Sequence, residues 1–253
     1  MDDAKRALLD SLPDDVMHVE VRGLLRRRKT LVLDGDGSAL GGFVFAPMHE
    51  LAVAFGAPGE RAFERLIDAA ADADLPLERL ELHGSEDVVQ GWASDGIAEA
   101  GGLAHILHWT PGREPSCESR LEALVRHEAR MLEPDDDALQ TLPAHLRREL
   151  AGQEEFPVCA ASFAGDAIAS LVYAFVETET LWDVSIDTLA DFRREGFATS
   201  SAAFLMLRQL ERGLQPVWGA STSNEASLRL AARLGFEREG VIGTAVATPG
   251  ENR

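Results

Sequence analysis

The sequence has few cysteines and no long hydrophobic run. Only Cys117 and Cys159 occur in its 253 residues, which is too few for a scaffold held together by disulfides and indicates a reducing compartment. The acidic start MDDAKRALLD has neither the basic nor the apolar region of a secretory signal. No apolar stretch reaches the ~18 residues of a membrane span. We therefore expect a cytoplasmic protein that does not enter a membrane.

Positive charge is also scarce. Lys and Arg number 24 against 43 Asp and Glu, which gives a formal net charge of -19. This excess negative charge repels phosphate backbones and anionic lipids, so no nucleic-acid or membrane partner is expected. The one basic cluster, at residues 22–29, is interpreted as a solvated or internally paired patch. A cationic amine would be attracted by the same field.

The chain divides into two α/β lobes. Apolar runs separated by glycines at residues 31–55 predict a β-meander, and helical and strand periodicities alternate after Pro58. The segment Thr110–Ser119, with two prolines and a glycine, has no periodicity and predicts a linker. We therefore predict an N-terminal domain at residues 1–112 and a C-terminal domain at residues 118–253.

The C-terminal lobe has the predicted element order ααβββαβαβ. Its first helix is predicted at residues 120–132, and three β-rich runs follow a second helix. This order predicts a mixed α/β (α+β) fold with a largely antiparallel sheet flanked by helices. The two lobes share a layout at offsets of 130 and 138 residues, between Gly35 and Gly165 and between Ser85 and Ser223. The offsets indicate a tandem of two related lobes.

A candidate anion site follows the strand WDVSIDTL. The segment from Ala190 to Thr199 stands directly before a predicted helix, and the first N–H groups of a helix have no acceptor within the helix. Gly196 permits a close approach to a ligand, and Arg193 and Arg194 add positive charge. The sequence therefore predicts a cradle for a diphosphate.

This segment, read as R-x-x-G-x-A, resembles the acyl-CoA pyrophosphate loop of the GNAT-type N-acetyltransferase superfamily. The strand before it, Asn224 at the start of a later helix, and the closing Leu234-Gly235-Phe236 stand in the same order as in that superfamily. The resemblance covers roughly Phe156 to Val246. The N-terminal lobe has Pro58, which lacks an N–H, where a donor would be needed. That lobe is interpreted as a degenerate copy that does not bind CoA.

The resemblance implies acetyl transfer from acetyl-CoA to an amine of a small molecule or peptide, without a metal. It also implies a set of cofactor contacts from the loop, from the strand before it and from the later helix. These are Ile186, Asp187 and Thr188 for the pantetheine and acetyl groups, Arg193, Arg194, Glu195, Gly196, Phe197, Ala198 and Thr199 for the pyrophosphate, and Asn224 and Ser227. A homodimer is compatible with this reading.

An amine acceptor needs a group that takes its proton. Deprotonating an ammonium of pKa ~10.4 at pH 7 costs about 4.6 kcal/mol. Asp183, on the polar face of the predicted central strand, is the first candidate base, and Glu179, just before the strand, is the second. Either could act through a water, and each could instead be an ordinary solvated carboxylate.

One residue departs from the pattern of the superfamily. Many members have a tyrosine in the second helix that protonates the leaving thiolate, whereas Ala231 holds that position here. This leaves two alternatives open, a non-catalytic acyl-CoA sensor or scaffold module and an enzyme that transfers a different acyl group. The run HEARM at residues 127–131 lacks the second His of a zinc-protease motif. It is interpreted as a helix surface.

Overall fold

The structure is a computed structural model that describes residues 2–34, 41–109 and 117–248. Contacts between Cα atoms divide the chain into two units. Unit 1 comprises Met1–Ile106, Ala220–Ser223 and Gly240–Arg253, and unit 2 comprises Leu107–Gly219 and Asn224–Glu239. No helix among the described residues is both long enough and apolar enough to cross a membrane.

Unit 1 contains four helices and a sheet. Its helices are α1 (Asp3–Ser11), α2 (Val19–Leu25), α3 (Glu60–Asp72) and α4 (Glu86–Ser94), with 3₁₀ turns at Pro47–His49 and Leu77–Arg79. Its strands are β1 (Leu31–Asp34), β2 (Gly41–Ala46), β3 (Leu51–Gly56), β4 (Glu81–Gly84), most of β5 (Ala98–Trp109) and the end of β11 (Phe236–Ala247). The described residues thus include the strands of the predicted meander.

The sheet of unit 1 has the order β1-β2-β3-β4-β11. The pairs β1–β2, β2–β3 and β4–β11 are antiparallel, whereas β3 and β4 are parallel. The helices cover the sheet with an aromatic cluster in which the Phe63 ring lies 4.8 Å from Phe43 and 5.3 Å from Trp92. Each such aromatic pair contributes about 0.5–1.5 kcal/mol beyond its buried area.

Unit 2 repeats this combination of sheet and helices. Its helices are α5 (Cys117–Leu124), α6 (Ala144–Ala151), α7 (Phe197–Glu211) and α8 (Glu225–Leu234), with 3₁₀ turns at Asp137–Thr141 and Ala190–Phe192. Its strands are β6 (Ala129–Leu132), β7 (Cys159–Ala164), β8 (Ala167–Glu177), β9 (Leu181–Thr188), most of β10 (Gln215–Ser221) and the start of β11. They follow the order β10-β9-β8-β7-β6, in which β9 and β10 are parallel and the other neighbours antiparallel.

The two halves of the chain share one element order. Strands β1, β2 and β3 are followed by α3, β4, α4 and β5, just as β7, β8 and β9 are followed by α7, β10, α8 and β11. In each half the third and fourth strands of the series are parallel. The predicted fold class, a mixed and mostly antiparallel sheet flanked by helices in two related lobes, is therefore confirmed.

One predicted helix is wrong in its second half. Helix α5 ends at Leu124, and Ala129–Leu132 form strand β6, which pairs with Cys159–Ser162 of β7. The order in this region is therefore αβαβββαβαβ, because pairing across the sheet prevails over the local helical spacing. Residues 110–116 of the predicted linker lie outside the described residues. The domain limits at 112 and 118 stay a prediction.

Candidate functional site

A cleft of about 800 Å³ opens in unit 2 at the end of β9 and the starts of α7 and α8. It is lined by eleven of the twelve residues predicted to contact the cofactor. These are Ile186, Asp187, Thr188, Arg193, Arg194, Gly196, Phe197, Ala198, Thr199, Asn224 and Ser227. The twelfth, Glu195, lines a smaller pocket beside the cleft. The structure brings the predicted set together, and its role in binding a cofactor stays a prediction.

The cleft begins where two parallel strands separate. Residues 215–217 of β10 pair with residues 181–183 of β9, and the last pair joins Val217 to Asp183. Strand β9 then continues for five residues, to Thr188, without a further pair to β10 in the described part of the chain. Residues 186–188 therefore have one strand edge turned towards the cleft, where an extended ligand could pair with the main chain.

The loop before α7 has an unusual backbone. Gly196 has φ +95° and Arg194 has φ +68°, and both values lie in the left-handed region that L-residues other than glycine rarely adopt. The first N–H bonded into the helix is that of Ser200, which donates to the Gly196 carbonyl at 3.0 Å. The N–H groups of residues 197–199 have no backbone acceptor among the described residues. Free N–H groups at a helix start are suited to an anion.

The helix start is fixed by contacts from the sheet and from a turn. Phe197 is buried, and its ring stacks on His127 at 3.9 Å and meets Phe192 edge-on at 5.7 Å. Its carbonyl accepts a hydrogen bond from Ser162 Oγ at 2.9 Å. Buried Ser200 accepts hydrogen bonds at its Oγ from the N–H groups of Arg126 and His127, at 3.0 and 3.2 Å. The loop is therefore held in place before any ligand arrives.

The two predicted contacts on α8 have structural roles at the rim of the cleft. Asn224 caps the helix, because its side-chain oxygen accepts from the Ser227 N–H at 3.1 Å. The Ser227 hydroxyl accepts from the indole N–H of buried Trp218 at 2.9 Å. These bonds fix the direction of α8 and leave the amide nitrogen of Asn224 as a donor for a ligand.

The smaller pocket, of about 240 Å³, is strongly basic. It shares Arg194 and Arg233 with the cleft and adds Arg126 and His127. The Nε2 atom of His127 lies 2.9 Å from the Glu195 carbonyl. Because a carbonyl oxygen only accepts, the Nε2 atom carries the proton in this arrangement. The interpretation of residues 127–131 as a helix surface is wrong, because His127 lies in the turn before β6 and residues 129–131 belong to that strand.

A group of ionisable side chains surrounds Asp187 at the cleft. The pKa of Asp187 is raised above its ordinary value, first because the carboxyl is partly buried and second because the charge of Glu149 repels its negative form. His145 and Arg193 act in the opposite direction. Glu149 and His145 lie four residues apart on α6 and so share one face of that helix.

The only tyrosine of the chain belongs to the same group. The buried hydroxyl of Tyr173, on β8, donates a hydrogen bond to the Glu149 carboxylate. Burial and this bond raise the pKa of Tyr173, so the hydroxyl stays protonated. Tyr173 also stands opposite Ser185 in the sheet. The tyrosine thus fixes one of the two carboxylates near the cleft.

The two carboxylates predicted as bases are not among the residues that line the cleft. Asp183 is half-buried and lies three positions before Ile186 on β9, and Glu179 is exposed in the turn before that strand. Sequence reasoning assigned Asp187 only to main-chain pairing and missed Glu149, Tyr173 and His127. These residues come together only in the folded chain, where α6 and the turn before β6 lie close to the cleft. No local sequence pattern predicts such contacts between distant segments.

The fold and the cleft define a class, that of tandem α/β proteins in which a helix start with free N–H groups lies beside two separating parallel strands. Residues 158–242 match the family model described as GNAT acetyltransferase. The recognition of the C-terminal half as GNAT-type is therefore confirmed. No curated protein matches the sequence at a significant level.

Several solved structures share the fold over the whole chain. A GCN5-related N-acetyltransferase-like protein from Streptococcus suis has a TM-score of 0.68 at 18% identity and covers 96% of this chain and 98% of its own. A GCN5-related N-acetyltransferase from Kribbella flavida has a TM-score of 0.62 at 14% identity, and the match covers 100% of this chain and 98% of that protein. A tandem GNAT protein from the clavulanic acid biosynthesis pathway has a TM-score of 0.57 at 15% identity, and the match covers 98% of this chain and 95% of that protein. At these identities the likeness is one of fold.

Proposed function

We propose that the protein is a cytoplasmic N-acetyltransferase that moves the acetyl group of acetyl-CoA to a primary amine. The observation that carries the proposal is the cleft, where free helix N–H groups, four arginines and an unpaired strand edge converge. This set suits a diphosphate followed by an extended amide-containing arm. Acetyl-CoA, when bound, would supply an activated thioester carbonyl for attack by the amine.

Each part of the cleft has a task in this proposal. The N–H groups at the start of α7 would hold the diphosphate, and Gly196 keeps that face free of a side chain. The edge of β9 at Ile186 would pair with the pantetheine arm. Arg193, whose Nε donates to the Thr188 carbonyl at 3.1 Å, has further N–H groups for the phosphates.

The carboxylates beside the cleft indicate how the amine would be received. Glu149 and Asp187 would attract a cationic amine, in keeping with the negative net charge of the chain. Asp187 lines the cleft and is shifted towards a higher pKa, so it is better suited to accept a proton than an ordinary aspartate. Asp183 and Glu179 remain proposals as bases, each acting through a water.

The test is a thiol-release assay with acetyl-CoA and a panel of primary amines, run beside a calorimetric titration of acetyl-CoA. We expect release of CoA with at least one amine class. Asp187→Asn should lower kcat by about 10²- to 10⁴-fold, while the Kd for acetyl-CoA stays within about threefold. Glu149→Gln should raise KM for the amine and leave the Kd for acetyl-CoA unchanged. Absence of acetyl-CoA binding would refute the proposal.

A second candidate function follows from Ala231. This residue is fully buried in α8, at the position where the resembled family often has a tyrosine acid. A non-catalytic acyl-CoA sensor or scaffold would bind acetyl-CoA and release no thiol with any amine. The same two assays therefore distinguish the candidates. A comparison of Kd values for acetyl-CoA and longer acyl-CoAs tests whether another acyl group is transferred.

A further inference from the structure

The small pocket beside the cleft has a surplus of positive charge. Arg126, Arg194 and Arg233 line it together with His127, and Glu195 is its one acidic residue. All three arginines are exposed. Within the described ranges, none of their guanidinium groups has a carboxylate oxygen within 4.0 Å.

Other arginines of unit 2, among them Arg147, Arg148 and Arg238, also lack a carboxylate oxygen within 4.0 Å in the described ranges, so the three are distinguished by lining one small pocket together. Elsewhere in unit 2, Arg130, Arg208, Arg212 and Arg229 each form an ion pair with a nearby Asp or Glu. The chain has 43 acidic residues to offer, and three neighbouring guanidinium groups without a partner repel one another. An arrangement that leaves cations together in one concave place is suited to a multiply charged anion.

The backbone around the pocket is fixed in advance. Arg194 keeps a left-handed φ of +68°, a conformation that residues other than glycine rarely adopt. His127 is held by its bond to the Glu195 carbonyl, by its stack on Phe197 and by the N–H bond to Ser200. The pocket also shares Gly196 and Thr199 with the cleft. A ligand in the cleft could therefore extend into it.

We propose that this pocket binds the phosphate monoester on the 3′ position of the ribose of CoA. The inference rests on the proposed function, in which the diphosphate of the same molecule lies at the start of α7. CoA carries these two phosphate groups on one nucleotide, and the two cavities share a wall. Guanidinium groups bind phosphate oxygens with two parallel N–H bonds, so Arg126, Arg194 and Arg233 would distinguish CoA from its 3′-dephospho form.

The experiment is a set of calorimetric titrations of the full chain with CoA, 3′-dephospho-CoA and inorganic phosphate. We expect CoA to bind about tenfold more tightly than 3′-dephospho-CoA at low salt. The preference should shrink towards twofold at 1 M NaCl, because the Debye length falls to about 3 Å. Inorganic phosphate should weaken the binding of CoA more than that of 3′-dephospho-CoA, because it can occupy the small pocket as well as the start of α7.

Two variants and a matched control test whether the preference for CoA over 3′-dephospho-CoA arises in the small pocket. Arg126→Gln and Arg233→Gln should each reduce the CoA preference to about threefold or less. The Kd for 3′-dephospho-CoA should stay nearly unchanged in Arg126→Gln, whereas Arg233→Gln should weaken the binding of both nucleotides, and of CoA more, because Arg233 also lines the cleft. Arg229→Gln is the control, because Arg229 lies on α8 four residues before Arg233 and lines the cleft but not the small pocket. It should leave the CoA preference at its original value. Thermal unfolding of each variant checks that the fold is retained.

The outcomes separate this inference from the proposed function. If neither nucleotide binds, the proposed function fails. If the wild-type chain binds both nucleotides equally well, the cofactor site stands and the phosphate pocket is refuted. A preference for CoA that persists in Arg126→Gln and Arg233→Gln, or that is lost in Arg229→Gln, would likewise overturn the assignment to this pocket.

Discussion

Replacing Gly196 by alanine separates the strain of the loop from its proposed role in binding. At φ +95° an added Cβ would lie 3.5 Å from His127 Nε2, which is an ordinary contact distance. Steric overlap therefore contributes little, and the cost comes from the left-handed backbone, roughly 1–2 kcal/mol. The loop can relieve this strain only by turning, and turning redirects the N–H groups at the start of α7.

We expect Gly196→Ala to lose both stability and affinity. Misdirected N–H bonds to a charged phosphate cost about 1.5–3 kcal/mol, so the Kd for acetyl-CoA should rise by about 10- to 100-fold. Gly196→Asn should lose less, because Asn tolerates the left-handed region better. Gly196→Glu should abolish binding, since it places bulk and negative charge beside the phosphates. Calorimetric titration and urea unfolding measure the two effects.

Gly213→Ala is the matched control for this prediction. Gly213 follows the other end of α7 with φ +82°, and an added Cβ there would meet no atom within 4 Å. The substitution should destabilise the fold by a similar 1–2 kcal/mol and leave the Kd for acetyl-CoA unchanged. If Gly196→Ala and Gly213→Ala lose equal stability and neither changes affinity, the loop does not bind the cofactor.

Three further outcomes follow from the structure. In urea unfolding, the stability gained by Asp187→Asn should grow as pH rises through the interval between the unfolded-state pKa of Asp187 and its raised folded-state pKa, and should level off above that interval, because the wild-type carboxyl must then ionise at a cost in the folded state. A gain that does not depend on pH would contradict this origin. Ser200→Ala should lower the free energy of unfolding by about 2 kcal/mol, since the part-buried N–H groups of Arg126 and His127 lose their acceptor, whereas an unchanged midpoint would refute that role. Titration with acetyl-CoA should give one site per chain, and two sites would show that unit 1 also binds.

The features that sequence reasoning predicted are those with a local cause. Gly196 follows a strand and precedes an apolar helix, so its need for a left-handed backbone can be inferred from the residue type and its position. Asn224 is recognisable in the same way, because an Asn before a helical run is a common cap. The fold class followed from such short-range signals, repeated twice along the chain.

The features that it missed depend on distant neighbours. The spacing of Leu121, Leu124 and Val125 favours a longer helix, but the Ser200 hydroxyl takes the N–H of Arg126 and β7 pairs with the residues that follow. The pKa of Asp187 is raised by burial and by the charge of Glu149, which lies on α6, 38 positions earlier in the chain. No pattern within a window of 10–15 residues contains either relation.

The difference between the two units concerns charge at equivalent helix starts. Helix α3 follows its parallel strand as α7 does, but its first turn contains the acidic residue Glu60, whereas the first turn of α7 contains none. A carboxylate in the first turn of α3 compensates the positive end of the helix dipole, so no external anion is needed there. Pro58, just before the helix, has no N–H to offer to a ligand. Gly59 has φ -91°, an ordinary value, so the residue directly before α3 does not adopt the left-handed conformation that Gly196 adopts before α7. The two helix starts thus differ in charge, and we expect only that of unit 2 to bind an external anion.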